Sequence, residues 1–204
     1  MSEQKSAMVF KIFDLYDTAG VQITDPGLKN VISLNPRLAL KSYGRNIQKF
    51  GQTKVNVVER MINKLAVAGH RGKKHRIIFG RATGKYTKNA GTVLEAFDLI
   101  HKKTGKNPVE VLIRAIENSA PRDEVTVIEY GGARYPQAVD VAPLRRVNLA
   151  TKHLIHGASE KAFGKKKEIA QALAEEIMAA SENNGESFAI KKKNEAEKSA
   201  DSAR

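Results

Sequence analysis

The sequence predicts a mainly α-helical protein: a helical bundle with a protruding two-stranded β-hairpin arm and a basic, irregular N-terminal extension. Apolar residues recur at helical spacing in five segments between residues 55 and 180, which favours the bundle. The stretch VTVIEYGGARYPQAVDV instead has the pattern of a hairpin. We therefore expect an extension at residues 1–53 and one helical domain at residues 54–204, with the arm at residues 123–142.

The extension lacks helical periodicity. Turn sequences (Asp-Thr-Ala-Gly and Thr-Asp-Pro-Gly) flank a strand candidate at residues 21–23, and the rest of residues 1–35 is irregular. Residues 35–54 are basic, with Tyr43 and Phe50 among the cations. We expect this segment to be an arm that orders on its partner.

Two helices are predicted next. The first has an apolar face formed by Val55, Val58, Ile62 and Leu65, and its pattern ends at Gly69. A basic loop, GHRGKKHR, follows. The apolar face of the second helix is formed by Val93, Ala96, Phe97 and Ile100. Thr92 and Glu95 are spaced as a capping box at its start, and Gly105 closes it.

The segment NPVEVLIRAIENSAP predicts a third helix most clearly. Asn107 is a good N-cap and Pro108 suits the first turn, where no backbone N–H is needed. The apolar stripe consists of Val109, Leu112, Ile113 and Ile116. Pro121 marks the end.

The hairpin is predicted from a β-branched run at residues 125–128 and a return through Tyr135 to Val141. Gly131 and Gly132 supply the positive φ angles of a tight turn. A two-stranded hairpin alone in water is only marginally stable. Its presence in a helical protein therefore indicates a functional arm. The alternative is a ribbon that folds back, with the valines near its base covering the core.

Three further helical segments follow. APLRRVNLATKHLIHGA points Leu144, Val147, Thr151, Leu154, Ile155 and Ala158 inward and projects Arg145, Arg146 and Lys152 outward. KKKEIAQALAEEIMAA is amphipathic, with Glu176 at the edge of its apolar face, and Asn183-Asn184-Gly185 ends it. The tail from Ser187 is helix-prone but mostly polar, and we expect it to order against a partner.

Charge is distributed unevenly along the chain. The net charge is +13, and residues 31–89 contain fourteen Lys and Arg but a single acid, Glu59, so the remainder of the chain is neutral. A basic surface of this kind indicates a polyanionic partner. The chain has no cysteine, no apolar run long enough for a membrane helix and no secretory signal pattern, so we expect a cytoplasmic protein that does not enter a membrane.

No motif supports catalysis, a cofactor or a metal. His153, His156 and Glu160 have helical spacing, but nothing suggests supporting ligands, and surface residues on a basic helix are the better interpretation. GRATGKY has one residue too few between its glycines for a phosphate loop, and Tyr86 stands where Ser or Thr is needed. No carboxylates are paired in an apolar setting. We predict a protein that is not an enzyme and needs no cofactor.

Basic residues beside glycines and aromatics suit RNA. Lys and Arg neutralise phosphates, aromatic and arginine planes stack on unpaired bases, and glycines allow close approach. GHRGKKHR fits this pattern, as does the Arg145-Arg146 pair at a helix start, where the dipole adds positive potential. The lysine run at residues 191–193 fits either RNA binding or a solvated face.

Four segments in order resemble the small-subunit ribosomal protein seven family: INKLAVAGHRGKKHR, TGKNPVEVLIRAIENSAPRDEV, GGARYPQAVDVAPLRRVNLA and AIKKKNEAEKSA. The resemblance runs from about Lys54 to the end, and the Gly-Gly hairpin with its Pro-Leu-Arg-Arg exit is its most specific part. Residues 1–53, the sequence between Arg71 and Lys88, and the ending Ser-Ala-Arg are more similar to the archaeal and eukaryotic branch than to the bacterial one, and we expect an archaeal member.

The resemblance implies a structural constituent of the small ribosomal subunit. It implies binding to the 3′ major (head) domain of small-subunit rRNA, nucleation of head assembly, and a place near the mRNA exit channel and exit-site tRNA, beside neighbouring head and platform proteins. Contacts with rRNA are expected from Arg37, Arg45, Lys49, Lys54, Lys73, Lys74, Arg76, Arg145, Arg146, Lys152, Lys191, Lys192 and Lys193. Contacts at the hairpin tip, near tRNA and mRNA, are expected from Gly131, Gly132, Arg134 and Tyr135.

The second candidate function is DNA binding, and the third is RNA modification. A helix-turn-helix DNA-binding protein would also have basic helices after short turns, but a long hairpin is not part of that design. An RNA-modifying enzyme would need a cofactor loop or an acid–base pair, and the sequence has neither.

Overall fold

The computed structural model describes residues 11–18, 20–36, 47–68 and 85–204. Within these ranges the chain is mainly helical with one antiparallel hairpin, as predicted. The helices are α1 (Pro26–Lys29), α2 (Val57–Leu65), α3 (Tyr86–Thr104), α4 (Pro108–Ser119), α5 (Pro143–Ala162), α6 (Ile169–Ser181) and α7 (Phe188–Asp201). The strands are β1 (Asp123–Tyr130) and β2 (Ala133–Asp140), and a 3₁₀ turn, Gly51–Lys54, precedes α2.

Helix α6 lies at the centre of the bundle and packs against α3, α4 and α5. Its buried face is rich in alanine, with Leu173 and Ile177 as the larger side chains. Small side chains allow three neighbouring helices to approach one axis closely. The resulting core is continuous and includes Phe97, Leu112 and Leu154, all fully buried.

Local signals set several helix ends as predicted. The side chain of Asn107 accepts a hydrogen bond from the backbone N–H of Val109 (3.0 Å), and Pro108 occupies the first turn of α4. Gly105 ends α3 in the left-handed region at φ 66°, which glycine adopts without a steric penalty. Asn183, at φ 55°, follows the end of α6.

Two local predictions are wrong. Helix α3 begins at Tyr86, so Thr92 lies inside it and donates its hydroxyl to the carbonyl of Lys88 (3.1 Å) instead of forming a capping box. Residues 21–23 belong to neither strand of the hairpin. The Thr-Asp-Pro-Gly turn instead starts α1, because the Asp25 carboxylate accepts the N–H of Gly27 (2.8 Å).

The described N-terminal residues pack on the bundle. Ile12, Leu28 and Ile32 are buried in the same core as the helices, and the backbone N–H of Val57 donates to the carbonyl of Ser33 (3.1 Å). The predicted boundary between residues 53 and 54 stays a prediction. The side chains of Ile12, Leu28 and Ile32 nevertheless belong to the core of the helices, from which that boundary would separate them.

The C-terminal tail orders against the protein itself, contrary to expectation. Ser187 caps α7, and Ala189, Ile190 and Ala200 are buried where the helix packs against α5 and β1. The tail appears polar in sequence because only these few small and aliphatic side chains face the bundle. Its last turn reaches the hairpin base, where Arg204 pairs with Asp123 at 2.7 Å.

The hairpin extends away from the core. Eight residues in each strand at about 3.4 Å per residue give an arm roughly 27 Å long. Gly131 (φ 59°) and Gly132 (φ 80°) form the turn, as predicted. Val141 is buried at the base, but Val127, Tyr130 and Tyr135 are exposed, so the ribbon does not fold back over the core.

Candidate nucleic-acid interface

The 3₁₀ turn Gly51–Lys54 is a basic, firmly anchored element. The side-chain amide of Asn148 in α5 donates to Gln52 Oε1 at 3.1 Å, and Gly51 is buried against the bundle. The N–H of Gly51 also donates to the carbonyl of Gln48 (2.9 Å). Lys49 and Lys54 are exposed on either side of this anchor, so their ammonium groups face solvent on a fixed backbone.

Helix α5 presents basic side chains beside the turn. Arg145, Asn148 and Lys152 are spaced at i, i+3 and i+7 and therefore share one face of the helix. Lys64 of α2 comes close to this face: burial lowers its pKa, and the charge on Lys152 lowers it further. Lysines that repel each other in this way stabilise an anion placed between them. We call Lys49, Lys54, Lys64, Arg145 and Lys152 the basic face.

Helix α7 extends the basic face at one lysine. Burial, followed by the charges of Lys152 and Lys192, lowers the pKa of His153 to about 4, so Lys192 lies near the α5 face. Lys192 pairs with Glu195 and lies over the ring of Phe188, 6.0 Å from its centroid. Of the predicted run, Lys191 is exposed, whereas Lys193 lines a different cleft of about 690 Å³, together with Arg122 and Asp201.

Arg146 does not project outward as predicted. Its side chain is 11% exposed, and its guanidinium donates to Asp25 at 2.8 Å and to the carbonyl of Pro121 at 3.2 Å. Burial raises the pKa of Asp25, but the hydrogen bonds from Arg146 and Gly27 and the nearby arginine charges outweigh it, so the net pKa is lowered. Arg146 therefore ties α1 to α5, and its neighbour Arg145 carries the exposed charge.

Arg145 is exposed but already paired. Its guanidinium lies 2.7 Å from Glu124 at the start of β1, and the hydrogen bond to Glu124 raises the pKa of Arg145. This pair joins the start of α5 to the hairpin base. A phosphate bound at Arg145 would compete with that carboxylate for the guanidinium or share the guanidinium with it.

The hairpin tip is solvent-exposed on both faces. Cross-strand pairing puts Ile128 and Tyr135 opposite each other, and Tyr130 opposite Ala133, on one face of the ribbon. Tyr130 is 82% exposed and Tyr135 58%. On the other face Arg134 pairs loosely with Glu129 at 3.4 Å, with both side chains largely in water. Aromatic rings on one face and an arginine plane on the other can each stack on unpaired bases.

Comparison with known proteins identifies the family of the chain. The family model described as ribosomal protein S7p/S5e matches residues 33–204. The chain belongs to the ribosomal protein S7p/S5e family. It is 46% identical over 198 residues to the small ribosomal subunit protein uS7 of Nanoarchaeum equitans, covering 97% of this chain and 100% of that protein.

Two further archaeal relatives carry the same name. The protein of Cenarchaeum symbiosum is 43% identical over the full length of both chains, and that of Archaeoglobus fulgidus is 44% identical over 95% of this chain and 94% of its own. The expected archaeal-type branch is thereby confirmed. As an S7p/S5e member the chain is a structural, non-enzymatic ribosomal protein, which excludes the DNA-binding and RNA-modifying alternatives.

The structure brings together only part of the predicted S7p/S5e site. Lys49, Lys54, Arg145, Lys152 and Lys192 lie on or beside the basic face, and Gly131, Gly132, Arg134 and Tyr135 lie together at the arm tip. Arg146 and Lys193 point elsewhere. Five predicted residues lie outside the described part of the chain: Arg37, Arg45, Lys73, Lys74 and Arg76.

The histidines of α5 are not surface residues as expected. His156 is buried and His153 is half-buried, with its ring 6.3 Å from that of Phe188. The described residues contain no cluster of three or more His, Cys, Asp or Glu suited to a metal ion. In the same part of the chain, no helix is both long and apolar enough to cross a membrane.

The sequence alone did not single out Lys64 or Phe50 of the S7p/S5e chain as site residues. Lys64 lies in the basic segment, but its approach to Lys152 depends on the packing of α2 against α5. Phe50 stands among cations in the sequence, which was the available signal. Its exposure and backbone conformation are visible only in the structure.

Proposed function

We propose that this chain is a constituent of the small ribosomal subunit that binds the 3′ major (head) domain of its rRNA through the basic face and helps to nucleate assembly of the head. The hairpin arm then reaches toward the mRNA exit channel and exit-site tRNA, and neighbouring head and platform proteins are its protein partners. The names of the archaeal relatives support the subunit assignment.

The clustering of lysines around the 3₁₀ turn carries this proposal. Lys49 and Lys54 flank a turn that Asn148 fixes to α5, and Lys64 and Lys152 repel each other nearby. Lysines held close on a rigid scaffold bind phosphates without a large ordering cost. The turn lies within residues 31–89, the segment that carries the whole net charge of +13.

Binding of the full chain to a head-domain rRNA fragment tests the proposal. Affinity is measured over a salt series, with an unrelated structured RNA of equal length as competitor. We expect competitor-resistant binding whose logarithm falls with log salt at about 0.7 to 0.9 per phosphate contact. Equal affinity for both RNAs would contradict specific recognition and leave only general electrostatics.

Matched lysine variants locate the interface. Lys152→Ala is expected to weaken binding and reduce the salt slope by about 0.7 to 0.9, because one phosphate contact is lost. Lys103→Ala is the control, since Lys103 is exposed at the end of α3 beside a separate cleft that Arg114 and Ser181 also line. Equal effects of the two variants would remove the basic face as the site.

The role of the arm is tested separately. An arm variant that lacks residues 127–130 and 133–136 should bind the rRNA fragment with nearly wild-type affinity. Subunits assembled with it should show reduced crosslinking of this protein to exit-site tRNA or to mRNA. Undiminished crosslinking would contradict the proposed reach of the arm while leaving the rRNA assignment intact.

A further inference from the structure

Phe50 combines backbone strain with an exposed aromatic ring. It adopts φ 60° and ψ 11°, which lie in the left-handed region. Residues other than Gly, Asn and Asp rarely enter this region. Its side chain is nevertheless 63% exposed, so burial of the ring does not compensate for the strain. Phe13 is another described aromatic residue with positive φ, but it packs against Phe97 in the core. Residues whose backbone strain is not offset by burial of the side chain often mark functional sites.

The turn holds Phe50 in this conformation. The hydroxyl and the backbone N–H of Thr53 both donate to the carbonyl of Phe50, at 2.8 and 3.0 Å. The next residues of the turn are fixed by burial of Gly51 and by the bond between Gln52 and Asn148. The ring is therefore presented to solvent from a backbone that is fixed before any partner arrives.

The surroundings of the ring are cationic. Lys49 Nζ lies over the ring, 5.5 Å from its centroid, and Lys54 is exposed at the other end of the turn. An exposed aromatic ring with a lysine before it and another later in the same turn matches a single-stranded nucleotide, whose base stacks on the ring while the flanking phosphates meet the ammonium groups. A hydrophobic protein partner would not require lysines on both sides.

We propose that Phe50 is a stacking platform for one unpaired base of the rRNA, with Lys49 and Lys54 on the flanking phosphates. This inference rests on the proposed rRNA-binding function and deepens it, because it names the kind of nucleotide bound at this turn. The platform adds a contact that depends on base exposure, whereas the lysines alone recognise any backbone.

Three substitutions of Phe50 test the platform on the head-domain rRNA fragment. Phe50→Gly removes the ring and suits φ 60°, so the turn is not weakened and a loss of affinity cannot be ascribed to misfolding. We expect a loss of about 5- to 100-fold, typical of removing one base stack. Phe50→Tyr should bind like the wild type, and Phe50→Leu, which keeps apolar bulk without a plane, should bind like the glycine variant.

The salt slope and a chemical footprint separate stacking from charge. Phe50→Gly should leave the slope of log affinity against log salt unchanged, whereas Lys49→Ala should reduce it by about 0.7. One unpaired base should be protected by the wild type and by Phe50→Tyr but not by Phe50→Gly.

The inference fails if Phe50→Gly or Phe50→Leu keeps wild-type affinity and protections, or if the loss in Phe50→Gly is accompanied by a lower salt slope. Each of these results can occur while the wild type binds the fragment specifically, so the platform can fail without the rRNA function. Equal wild-type affinity for head-domain and unrelated RNA would instead overturn the function on which the platform rests.

Discussion

Glu175 and Glu176 are adjacent in α6, but their positions on the helix give them different neighbours. Glu176 is fully buried: Oε1 accepts hydrogen bonds from the Ser187 hydroxyl (2.7 Å) and the Ala189 N–H (3.1 Å), and Oε2 lies 2.6 Å from Lys161 Nζ. The sequence placed it at the edge of the apolar face. It instead joins three helices, because it caps the start of α7 and pairs with a lysine of α5.

Glu176→Gln should lower the free energy of unfolding by about 1–3 kcal/mol, because a buried ion pair loses one charge while Lys161 can still turn toward water. Glu175→Gln is the matched control. Glu175 pairs with Lys167 near the surface, so its substitution should cost less than about 1 kcal/mol. Urea denaturation of both variants measures the difference. Equal costs would contradict a stabilising buried ion pair between Glu176 and Lys161.

Gly157 lies at the same contact between α5, α6 and α7, which leaves no room for a side chain. A Cβ atom at this position would lie 2.7 Å from Phe188 Cβ and 2.8 Å from Glu176 Cδ. Gly157→Ala should therefore destabilise the protein by about 1–3 kcal/mol through overpacking. Gly91→Ala in α3, where nothing lies within 4 Å, should stabilise it by about 0.5–1 kcal/mol. Thermal melts of both variants test the pair, and a shift of the same sign would contradict the close approach of α5 and α7.

His153 predicts a dependence of stability on pH. Burial, reinforced by Lys152 and Lys192 and opposed by Glu195, lowers its pKa from 6.5 to about 4 in the folded protein. Between these values the unfolded chain binds the additional proton, so the free energy of unfolding should fall as the pH is lowered from about 6.5 to 4. His153→Gln should flatten the profile of urea midpoint against pH in this window. Identical profiles for the wild type and His153→Gln would contradict the prediction.

At the level of elements, the hairpin is anchored at one end only. Val141 is buried and donates its N–H to the carbonyl of Arg122 (2.8 Å), and α7 braces the base through Glu197, which accepts the N–H of Arg122 (3.0 Å). Beyond the pair of Val125 and Ala138, the described bundle contributes little cover. The distal arm is therefore maintained by its own ladder and turn.

Shortening the arm should leave the bundle intact. Deletion of residues 127–130 and 133–136 joins Thr126 to Gln137 through the native Gly-Gly turn and preserves the register. We expect the free energy of unfolding to change by less than about 1 kcal/mol, because the removed side chains are mostly exposed. Val141→Ala should cost about 1–3 kcal/mol. A larger loss from the deletion than from Val141→Ala, in urea denaturation, would show that the distal arm supports the core.

For the whole molecule, the described N-terminal residues share the core of the helices. Leu28 is fully buried, whereas Leu15 is mostly exposed, although both lie before the first long helix. Arg146 and Asp25 join parts of the chain 121 residues apart. The molecule is thus expected to unfold as one cooperative unit that includes residues 11–18 and 20–36.

Leu28→Ala tests whether the described N-terminal residues unfold cooperatively with the helices. It should lower the free energy of unfolding by about 2–5 kcal/mol, the usual cost of a buried leucine truncated to alanine, without populating an intermediate. Leu15→Ala, the control, should change it by less than about 0.5 kcal/mol. Circular dichroism during urea denaturation measures both. A small effect of Leu28→Ala would place α1 outside the cooperative core, as the predicted boundary at residue 53 implies.

The sequence by itself determined most of the secondary structure and the family. The helix of residues 108–119, its Asn107 cap, the Gly105 stop and the Gly-Gly hairpin depend on interactions within a few residues, so their signals are local and readable. Periodicity correctly assigned the apolar faces of α4 and most of α5. The concentration of positive charge in residues 31–89 was also available from the sequence alone.

Only the tertiary structure decided which polar residues serve the fold and which face solvent. Arg145 and Arg146, or Glu175 and Glu176, are alike in sequence, but adjacent helical residues lie about 100° apart and meet different neighbours. Those neighbours, Asp25 for Arg146 and Ser187 for Glu176, come from other elements. Gln52, two residues after Phe50, is likewise fixed by Asn148 of α5, 96 residues away along the chain. Local pattern gives the elements, and contacts between distant segments assign the roles of their side chains.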